Sequence, residues 1–176
     1  NAVGYDLYCK LLSEAVKEAK GIHTMEDFET TIDLNMDAFI PDSYISNEYQ
    51  KLDIYKRIAG IETQQDYDDM LEELLDRFGE MPKAVMNLLS IARLKALAHR
   101  CYVTEIKQIG RDMKITLYEN AKLNPVGFPA LMQKYRRGLQ FKNEQEPKIL
   151  FTPEGRGNVL TALTDLLTEL EQLVEE

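Results

Sequence analysis

Apolar residues repeat every three or four positions along the first part of the chain, which indicates amphipathic helices. One such pattern runs from Tyr5 to Lys20, and Gly21 just beyond it is a natural C-cap. A second begins after Ser46 or Asn47, because either side chain can accept a hydrogen bond from the first turn of a helix. The spacing predicts that the inner face of this second helix consists of Tyr49, Leu52, Tyr55, Ile58 and Ala59.

Two more helices follow closely. Thr63 and Asp66 have the spacing of a capping box, with Asp where Glu or Gln is usual, and the helix that they open is predicted to end at Phe78-Gly79. Pro82 suits the first turn of the next helix, which is predicted to run to about Arg100. On a helical wheel the third helix has one apolar arc, its predicted core face: Tyr67, Met70, Leu71, Leu74, Leu75 and Phe78.

Alternation of apolar and polar residues predicts the strands. Thr31–Met36 alternates strictly and is predicted to be a half-buried strand. Val103–Ile109 and Met113–Tyr118 flank Gly110-Arg111-Asp112 and predict a hairpin. Beyond the hairpin the pattern predicts a short helix from Asn124-Pro125, strands at Leu139–Lys142 and Lys148–Thr152, and a terminal helix with the apolar face Leu160, Leu163, Leu166, Leu167, Leu170 and Val174.

This order of elements predicts an α+β fold, in which a small mixed sheet packs with several helices and is preceded by a connecting helix. We assign residues 1–28 to the connecting helix and residues 29–176 to the main domain. The leucine face of the last helix is too broad for a dimer seam made only of a and d positions, so we expect this helix to pack on its own sheet.

Composition narrows the possible partners. The 176 residues carry a formal net charge of −9 at pH 7, which disfavours nucleic-acid binding and favours a protein partner with a basic patch. Cys9 and Cys101 both fall in helical patterns, which favours a reducing compartment. Because no apolar run is long enough to span a membrane, we expect a cytoplasmic protein.

Catalytic and cofactor motifs are absent from the sequence. It has no phosphate-binding Gly-x-x-x-x-Gly-Lys-Ser/Thr loop, no dinucleotide fingerprint and no Gly-x-Ser-x-Gly nucleophile elbow. A zinc site would have to gather Cys9, His23, His99 and Cys101, but the last two are predicted to face different sides of a helix end. We therefore expect no enzymatic activity, no metal and no cofactor in this chain.

Two basic clusters suggest an alternative role as an accessory domain that contacts DNA. A nucleic-acid base could stack on Tyr135, which lies within the second cluster. Against this role stand the net acidity of the chain and the general preference of cations for helix C-termini. The clusters are Arg93, Lys95 and Arg100 on the fourth helix, and Lys134, Arg136 and Arg137 around Tyr135.

The third helix carries a more specific pattern on the arc opposite its core face. Glu73, Asp76 and Arg77 stand at positions i, i+3 and i+4 and are therefore neighbours on the helix surface. An acid near a helix C-terminus is unfavourable to the helix dipole, so helix stability does not explain Asp76. The pattern fits a solvated face or an acidic protein-docking patch. In either case these three residues should be exposed and dispensable for folding.

Four blocks of the chain carry a resemblance to a known family. In order and spacing they closely resemble the C-terminal domain of the bacterial transcription-repair-coupling factors, which are DNA translocases that remove stalled RNA polymerase and recruit nucleotide-excision repair. Gly4–Leu12 resembles the helix that leaves the translocase module of this family. The four blocks are Ile40–Ile45, Leu52–Ala59, Leu71–Pro82 and Leu88–Lys95.

The resemblance implies a regulatory role. In the family this domain packs against an N-terminal module similar to the repair protein UvrB, covers the surface that recruits UvrA, and restrains translocation. The docking face has a Glu-x-x-Asp-Arg pattern, which Glu73, Asp76 and Arg77 match here. The resemblance further implies that DNA and RNA polymerase are partners only of the whole translocase, whose ATPase lies outside this chain.

Overall fold

The computed structural model describes residues 28–155 and 157–175, and within these ranges it confirms an α+β fold with a mixed sheet. Apart from Phe28, the predicted connecting helix lies outside the described residues, as do Cys9 and His23. The helices are α1 (Glu48–Ala59), α2 (Gln64–Phe78), α3 (Lys83–Arg100), α4 (Phe128–Tyr135) and α5 (Val159–Glu171). The strands are β1 (Thr31–Asp33), β2 (Val103–Ile109), β3 (Asp112–Leu117), β4 (Leu139–Lys142) and β5 (Lys148–Phe151).

The described residues form two compact units, and the division between them falls within α3. The first, which we call the helical unit, comprises Met36–Ala96. The second, which we call the sheet unit, comprises Phe28–Asn35 and the residues from Leu97 onward, and it holds all five strands.

The ends of α1 and α2 form as the sequence predicts. Asn47 caps α1 by accepting a hydrogen bond from the backbone nitrogen of Gln50 at 3.0 Å. At the start of α2, Thr63 Oγ1 accepts from the backbone nitrogen of Asp66 at 3.0 Å, and the Asp66 carboxylate accepts from that of Thr63 at 3.2 Å. Gly79 ends α2 with φ +84°, a left-handed conformation that favours glycine.

The core of the helical unit differs from the prediction at three positions. Tyr49 is 89% exposed and Leu52 is 54% exposed, so α1 buries only part of the predicted face: it packs through Ile58, as predicted, and through Ile54, which was not predicted. Leu75 on α2 is 47% exposed, although its neighbour on the chain is fully buried. The buried residues of this unit include Ile40, Ile45, Ile54, Ile58, Ile61, Met70, Leu74, Val85, Leu88 and Leu89.

The position of Lys51 explains why the buried face of α1 is rotated about the helix axis relative to the predicted face. Its side chain is only 12% exposed, and its ammonium group forms an ion pair with the carboxylate of Asp42. At 100° per residue, Lys51 falls on the same arc as Ile54 and Ile58. Its aliphatic stem therefore occupies a core-facing position while its charged end stays paired, which a simple division into polar and apolar residues misses.

The sheet has the strand order β1-β2-β3-β5-β4, in which β1 runs parallel to β2 and the other neighbours are antiparallel. The predicted hairpin is confirmed. In the antiparallel pair of β2 and β3, Val103 lies opposite Leu117 at one end and Ile109 lies opposite Asp112 at the other. Gly110 turns the chain with φ +63°. The strand predicted to reach Met36 stops at Asp33. Beyond it, the backbone nitrogen of Asn35 donates to the Gln108 side chain at 2.9 Å.

The terminal helix packs within the sheet unit, as the width of its leucine face predicts. Five leucines of α5 are buried, whereas Val174 lies beyond the end of the helix and pairs with Leu123 in an isolated β-bridge. The leucines lie in one unit with buried residues of the strands. These buried side chains include Ile106, Met113, Ile115, Leu117, Ile149 and Phe151 from the sheet and Leu160, Leu163, Leu166, Leu167 and Leu170 from α5.

Among the described residues, none of the helices combines the length and the apolar character that crossing a membrane requires.

Candidate protein-docking site

Glu73 is the centre of a group of ion pairs that joins α1 to α2. The two terminal nitrogens of the Arg57 guanidinium each donate to one oxygen of the Glu73 carboxylate. Arg77 Nη1 donates to Glu73 Oε2 at 2.8 Å, and Arg57 Nη1 lies 3.9 Å from Asp53 Oδ2. Together with Asp76, which follows Glu73 by three residues on the same helix, these side chains form what we call the acid–arginine cluster.

Helix geometry and core packing place these side chains. Arg57 follows Asp53, and Arg77 follows Glu73, by four residues, so each pair lies on one face of its helix. Both helices also contribute to the same buried core, which includes Ile54, Ile58, Met70 and Leu74, and this packing brings Arg57 to Glu73. The cluster therefore rests on two helices whose positions the core fixes.

The two arginines hold Glu73 in its ionised form. Hydrogen bonds from Arg57 first, and then from Arg77, lower the pKa of the Glu73 carboxyl from 4.5 to about 2. The bond to Glu73 also raises the pKa of Arg57. Glu73 exposes 30% of its side chain, so water weakens these ion pairs without removing them.

Asp76 is the carboxylate of the cluster that is open to a partner. It is exposed, and within the described part of the chain it makes no hydrogen bond or ion pair. It also stands in the last turn of α2, where the helix dipole disfavours a negative charge. A cation from outside the chain would therefore bind Asp76 without displacing an internal partner.

Arg77 is held by contacts on two sides. Besides its bond to Glu73, its guanidinium carbon lies 4.9 Å from the centre of the Phe78 ring. The Phe78 ring in turn lies 5.8 Å from that of Tyr44, whose hydroxyl donates to the Gly79 carbonyl at 2.9 Å. Arg77 is therefore ordered on the surface before any partner arrives, which reduces the entropy cost of a contact there.

The three residues that the sequence singled out lie together, but not all are equally exposed. Asp76 and Arg77 are exposed as predicted. Glu73 is half-buried and pairs with Arg57, a residue that the sequence pattern did not indicate. That Glu73 is dispensable for folding stays a prediction, and we expect its removal to cost some stability because Arg57 and Arg77 lose the carboxylate that they share. The docking role of these residues stays a prediction.

The lowered pKa of Glu73 predicts a pH-dependent contribution to stability. A carboxyl with a lowered pKa stabilises the folded state above its unfolded pKa near 4.5 and loses this effect as the pH falls towards about 2. Glu73→Gln should therefore lower the free energy of unfolding by about 1 kcal/mol at pH 7, and the difference from wild type should shrink below about pH 4.5. Urea titrations at several pH values measure it.

The neighbouring substitution Glu72→Gln is the control, because it removes an exposed carboxylate that lies outside the cluster. We expect it to change the free energy of unfolding at pH 7 by no more than about 0.5 kcal/mol. Equal effects of Glu72→Gln and Glu73→Gln at pH 7 would mean that the ion pairs of Glu73 add nothing to stability.

Three of the six cations in the basic clusters that suggested DNA contact are engaged within the protein. The Arg93 guanidinium lies 4.0 Å from the centre of the Tyr67 ring. Arg100 Nε donates to Glu171 at 2.6 Å, and the Lys134 ammonium pairs with Glu169. Arg136 and Arg137 are exposed, but the ring of Tyr135 between them and Lys134 packs edge-on against Phe151 at 5.7 Å. The clusters therefore have half of their cations engaged, and Tyr135 offers no open aromatic platform.

Of the four residues considered for zinc, the two that the structure describes, His99 and Cys101, serve the packing of the sheet unit. The His99 ring lies 4.5 Å from that of Phe28, and its Nδ1 lies 3.1 Å from Thr30 Oγ1. Cys101 is buried, its thiol donates to the Leu167 carbonyl at 3.3 Å, and burial raises its pKa to about 12. Within the described ranges, no three His, Cys, Asp or Glu side chains are grouped so that they could hold a metal.

The fold and the cluster define an α+β domain with a mixed sheet and an ordered acid–arginine surface on two of its helices. The chain belongs to the TRCF domain family, whose model matches residues 34–128. The matched range contains the whole acid–arginine cluster. The resemblance noted in the sequence is thereby confirmed at the level of the family.

Curated relatives carry the name transcription-repair-coupling factor. The protein of Bacillus subtilis (strain 168) is 40% identical over 122 residues, which are 69% of this chain and 10% of that protein. That of Staphylococcus haemolyticus is 39% identical over 123 residues (69% and 10%), and that of Staphylococcus aureus (strain USA300) is 40% identical over 126 residues (70% and 11%). The chain therefore spans about a tenth of the length of these relatives.

A solved structure, described as the crystal structure of the C-terminal domain of transcription-repair coupling factor, has a similar fold. It aligns with a TM-score of 0.70, covering 85% of this chain and 98% of the other at 23% identity. At this identity the likeness is evidence for the fold alone. Neither the family nor the fold indicates a catalytic activity for this chain.

Proposed function

We propose that this chain is a non-catalytic regulatory domain of a transcription-repair-coupling DNA translocase. It docks on the N-terminal UvrB-like module of the same polypeptide and covers the surface that recruits UvrA until RNA polymerase is engaged. The contact is made by Glu73, Asp76 and Arg77. In the docked state the domain also restrains the ATPase and the translocation of the parent protein.

The observation that carries this proposal is the unequal pairing within the acid–arginine cluster. Glu73 is bound by two arginines of the chain itself, whereas Asp76 is exposed and has no partner in the described residues. Arg57 therefore holds Glu73 in place within the contact, and Asp76 and Arg77 are its more exposed groups. A basic partner surface that also presents a carboxylate would complement both charges.

The proposed contact suits a switch. Ion pairs on an ordered surface fix the register of two domains and can be exchanged without unfolding either of them. A docking free energy of only a few kcal/mol lets a second partner shift the equilibrium. Engagement of RNA polymerase by the parent protein would supply this competing free energy.

Titration of the 176-residue chain against the isolated N-terminal UvrB-like module of a coupling factor tests the proposal directly. We expect saturable binding in calorimetry. Asp76→Asn should raise Kd by about 30-fold or more, because a partner cation is left without its carboxylate, a loss typically worth about 2–5 kcal/mol.

Asp68→Asn is the matched control for this titration. Asp68 is an exposed acid on the same helix, where it accepts a hydrogen bond from Gln64 at 3.0 Å, and it lies on the flank away from Glu73 and Arg77. Since both substitutions remove one negative charge, a general electrostatic effect would weaken binding equally. Equal Kd values for the two variants, or no binding by the wild-type chain, would refute the proposed docking site.

A further inference from the structure

The outer face of α1 presents apolar side chains that the core does not use. Tyr49 is 89% exposed and Leu52 is 54% exposed, while the helix packs through Ile54 and Ile58 on its opposite side. Single exposed apolar residues are common on protein surfaces and need no explanation. The exposure of Tyr49 and Leu52 needs an explanation because Tyr49 lies on the same helix face as part of the acid–arginine cluster.

Tyr49 lies in line with two residues of the acid–arginine cluster on the surface of α1. Tyr49, Asp53 and Arg57 follow one another at intervals of four residues, so they form one ridge along α1. Asp53 Oδ2 lies 3.9 Å from Arg57 Nη1, and Arg57 binds Glu73 on α2. Tyr49 and the cluster are thus parts of one continuous surface on two neighbouring helices, and Leu52 follows Tyr49 by three residues on α1.

The ridge is held on a fixed backbone. Ile54 and Ile58 are fully buried, Asn47 caps the first turn, and Lys51 ties the helix to Asp42. A tyrosine on such a helix offers a large contact area while only its own two side-chain torsions are left to order. Tyrosines and arginines of this kind carry much of the binding energy of protein interfaces.

The two halves of the surface differ in charge, which defines the chemistry of a partner. The α2 sequence has six carboxylates against one arginine, whereas α1 has two carboxylates against three cations. A complementary surface therefore carries cations opposite α2 and an apolar depression, rather than a basic patch, opposite Tyr49 and Leu52.

We propose that Tyr49 and Leu52 form the apolar anchor of the docking surface, and that they insert into a depression on the N-terminal UvrB-like module beside the cations that meet Asp76. The inference rests on the proposed function, because it assigns this face to the same partner. It adds a hydrophobic centre to a contact that the Glu-x-x-Asp-Arg pattern describes only by its charges.

The test repeats the calorimetric titration against the N-terminal UvrB-like module with Tyr49→Ala and Leu52→Ser. Both side chains are exposed, so the variants should fold normally, as circular dichroism can verify. We expect each to raise Kd by about tenfold or more, the loss typical of an anchor residue, and Tyr49→Phe to bind within about threefold of wild type because it keeps the ring. Met86→Ser removes a 49% exposed apolar side chain from α3 of the same unit and should leave Kd unchanged.

The outcomes separate this inference from the proposed function. If Asp76→Asn weakens binding while Tyr49→Ala and Leu52→Ser do not, the anchor is refuted and the docking site stands. If none of the three weakens binding, the proposed function itself fails. If sedimentation shows a concentration-dependent dimer of the chain that Tyr49→Ala abolishes, the face belongs to a second copy and the anchor is again refuted.

Discussion

Replacing Leu74 with alanine should lower the free energy of unfolding of the helical unit by about 2–5 kcal/mol, because the surrounding core cannot fully close the cavity that remains. Leu74 has no exposed surface and lies in the buried cluster that includes Ile54, Met70 and Leu88. Urea unfolding followed by far-UV circular dichroism measures the loss. Amide hydrogen exchange along α2 should rise by the corresponding factor.

The next residue of the chain provides the control for this prediction. Leu75→Ala removes the same atoms from a side chain that is 47% exposed, so it should cost about 1 kcal/mol or less. The sequence pattern had placed both leucines in the core, whereas the structure assigns only Leu74 to it. A loss for Leu75→Ala as large as that for Leu74→Ala would contradict the arrangement of α2 described above.

Local signals predicted the two ends of α2 and the hairpin turn, because the interactions that fix those points join residues close together in the sequence. The side chains of Thr63 and Asp66 each accept a hydrogen bond from the backbone nitrogen of the other residue, within one helical turn. Gly79 adopts its positive φ readily because it has no Cβ atom. The hairpin around Gly110 is equally local. Such features depend on residues a few positions apart, so one sequence is enough to find them.

The face that a helix buries was harder to predict, because a periodicity argument selects the side of the helix with the most apolar residues. On α1 the stem of Lys51 takes part in the core-facing arc while Tyr49 is left in solvent. The difference arises because Asp42, nine residues earlier, pairs with the ammonium group. No spacing rule within the helix includes that partner.

The same limit applied to the candidate site. Glu73 and Arg77 are four residues apart on one helix, so their contact follows from helix geometry. Arg57 is separated from Glu73 by 16 residues and reaches it only because α1 packs against α2. The sequence therefore predicted the charged face but not the residue that orders its central carboxylate.

If the domain docks as proposed, replacing Glu73, Asp76 and Arg77 together with alanine in a full-length coupling factor should raise the apparent affinity for UvrA by about 20-fold or more. A docking equilibrium that is 99% closed hides the UvrA-recruiting surface by a factor of about 100, and a loss of about 2–3 kcal/mol of docking free energy removes most of that factor. The ATPase rate in the absence of RNA polymerase should rise as well. UvrA binding and ATP hydrolysis are measured on the same preparation.

Two further variants make this experiment specific to docking. Asp76→Asn alone should give much of the effect, because Asp76 is exposed and its loss leaves the pairing of Glu73 with Arg57 intact. Asp68→Asn, which removes an acid from the other flank of α2, should behave as wild type. If the triple variant folds normally but keeps the wild-type UvrA affinity and ATPase rate, the charged arc of α2 is a solvated face, and the restraint of the parent protein has to lie in other residues.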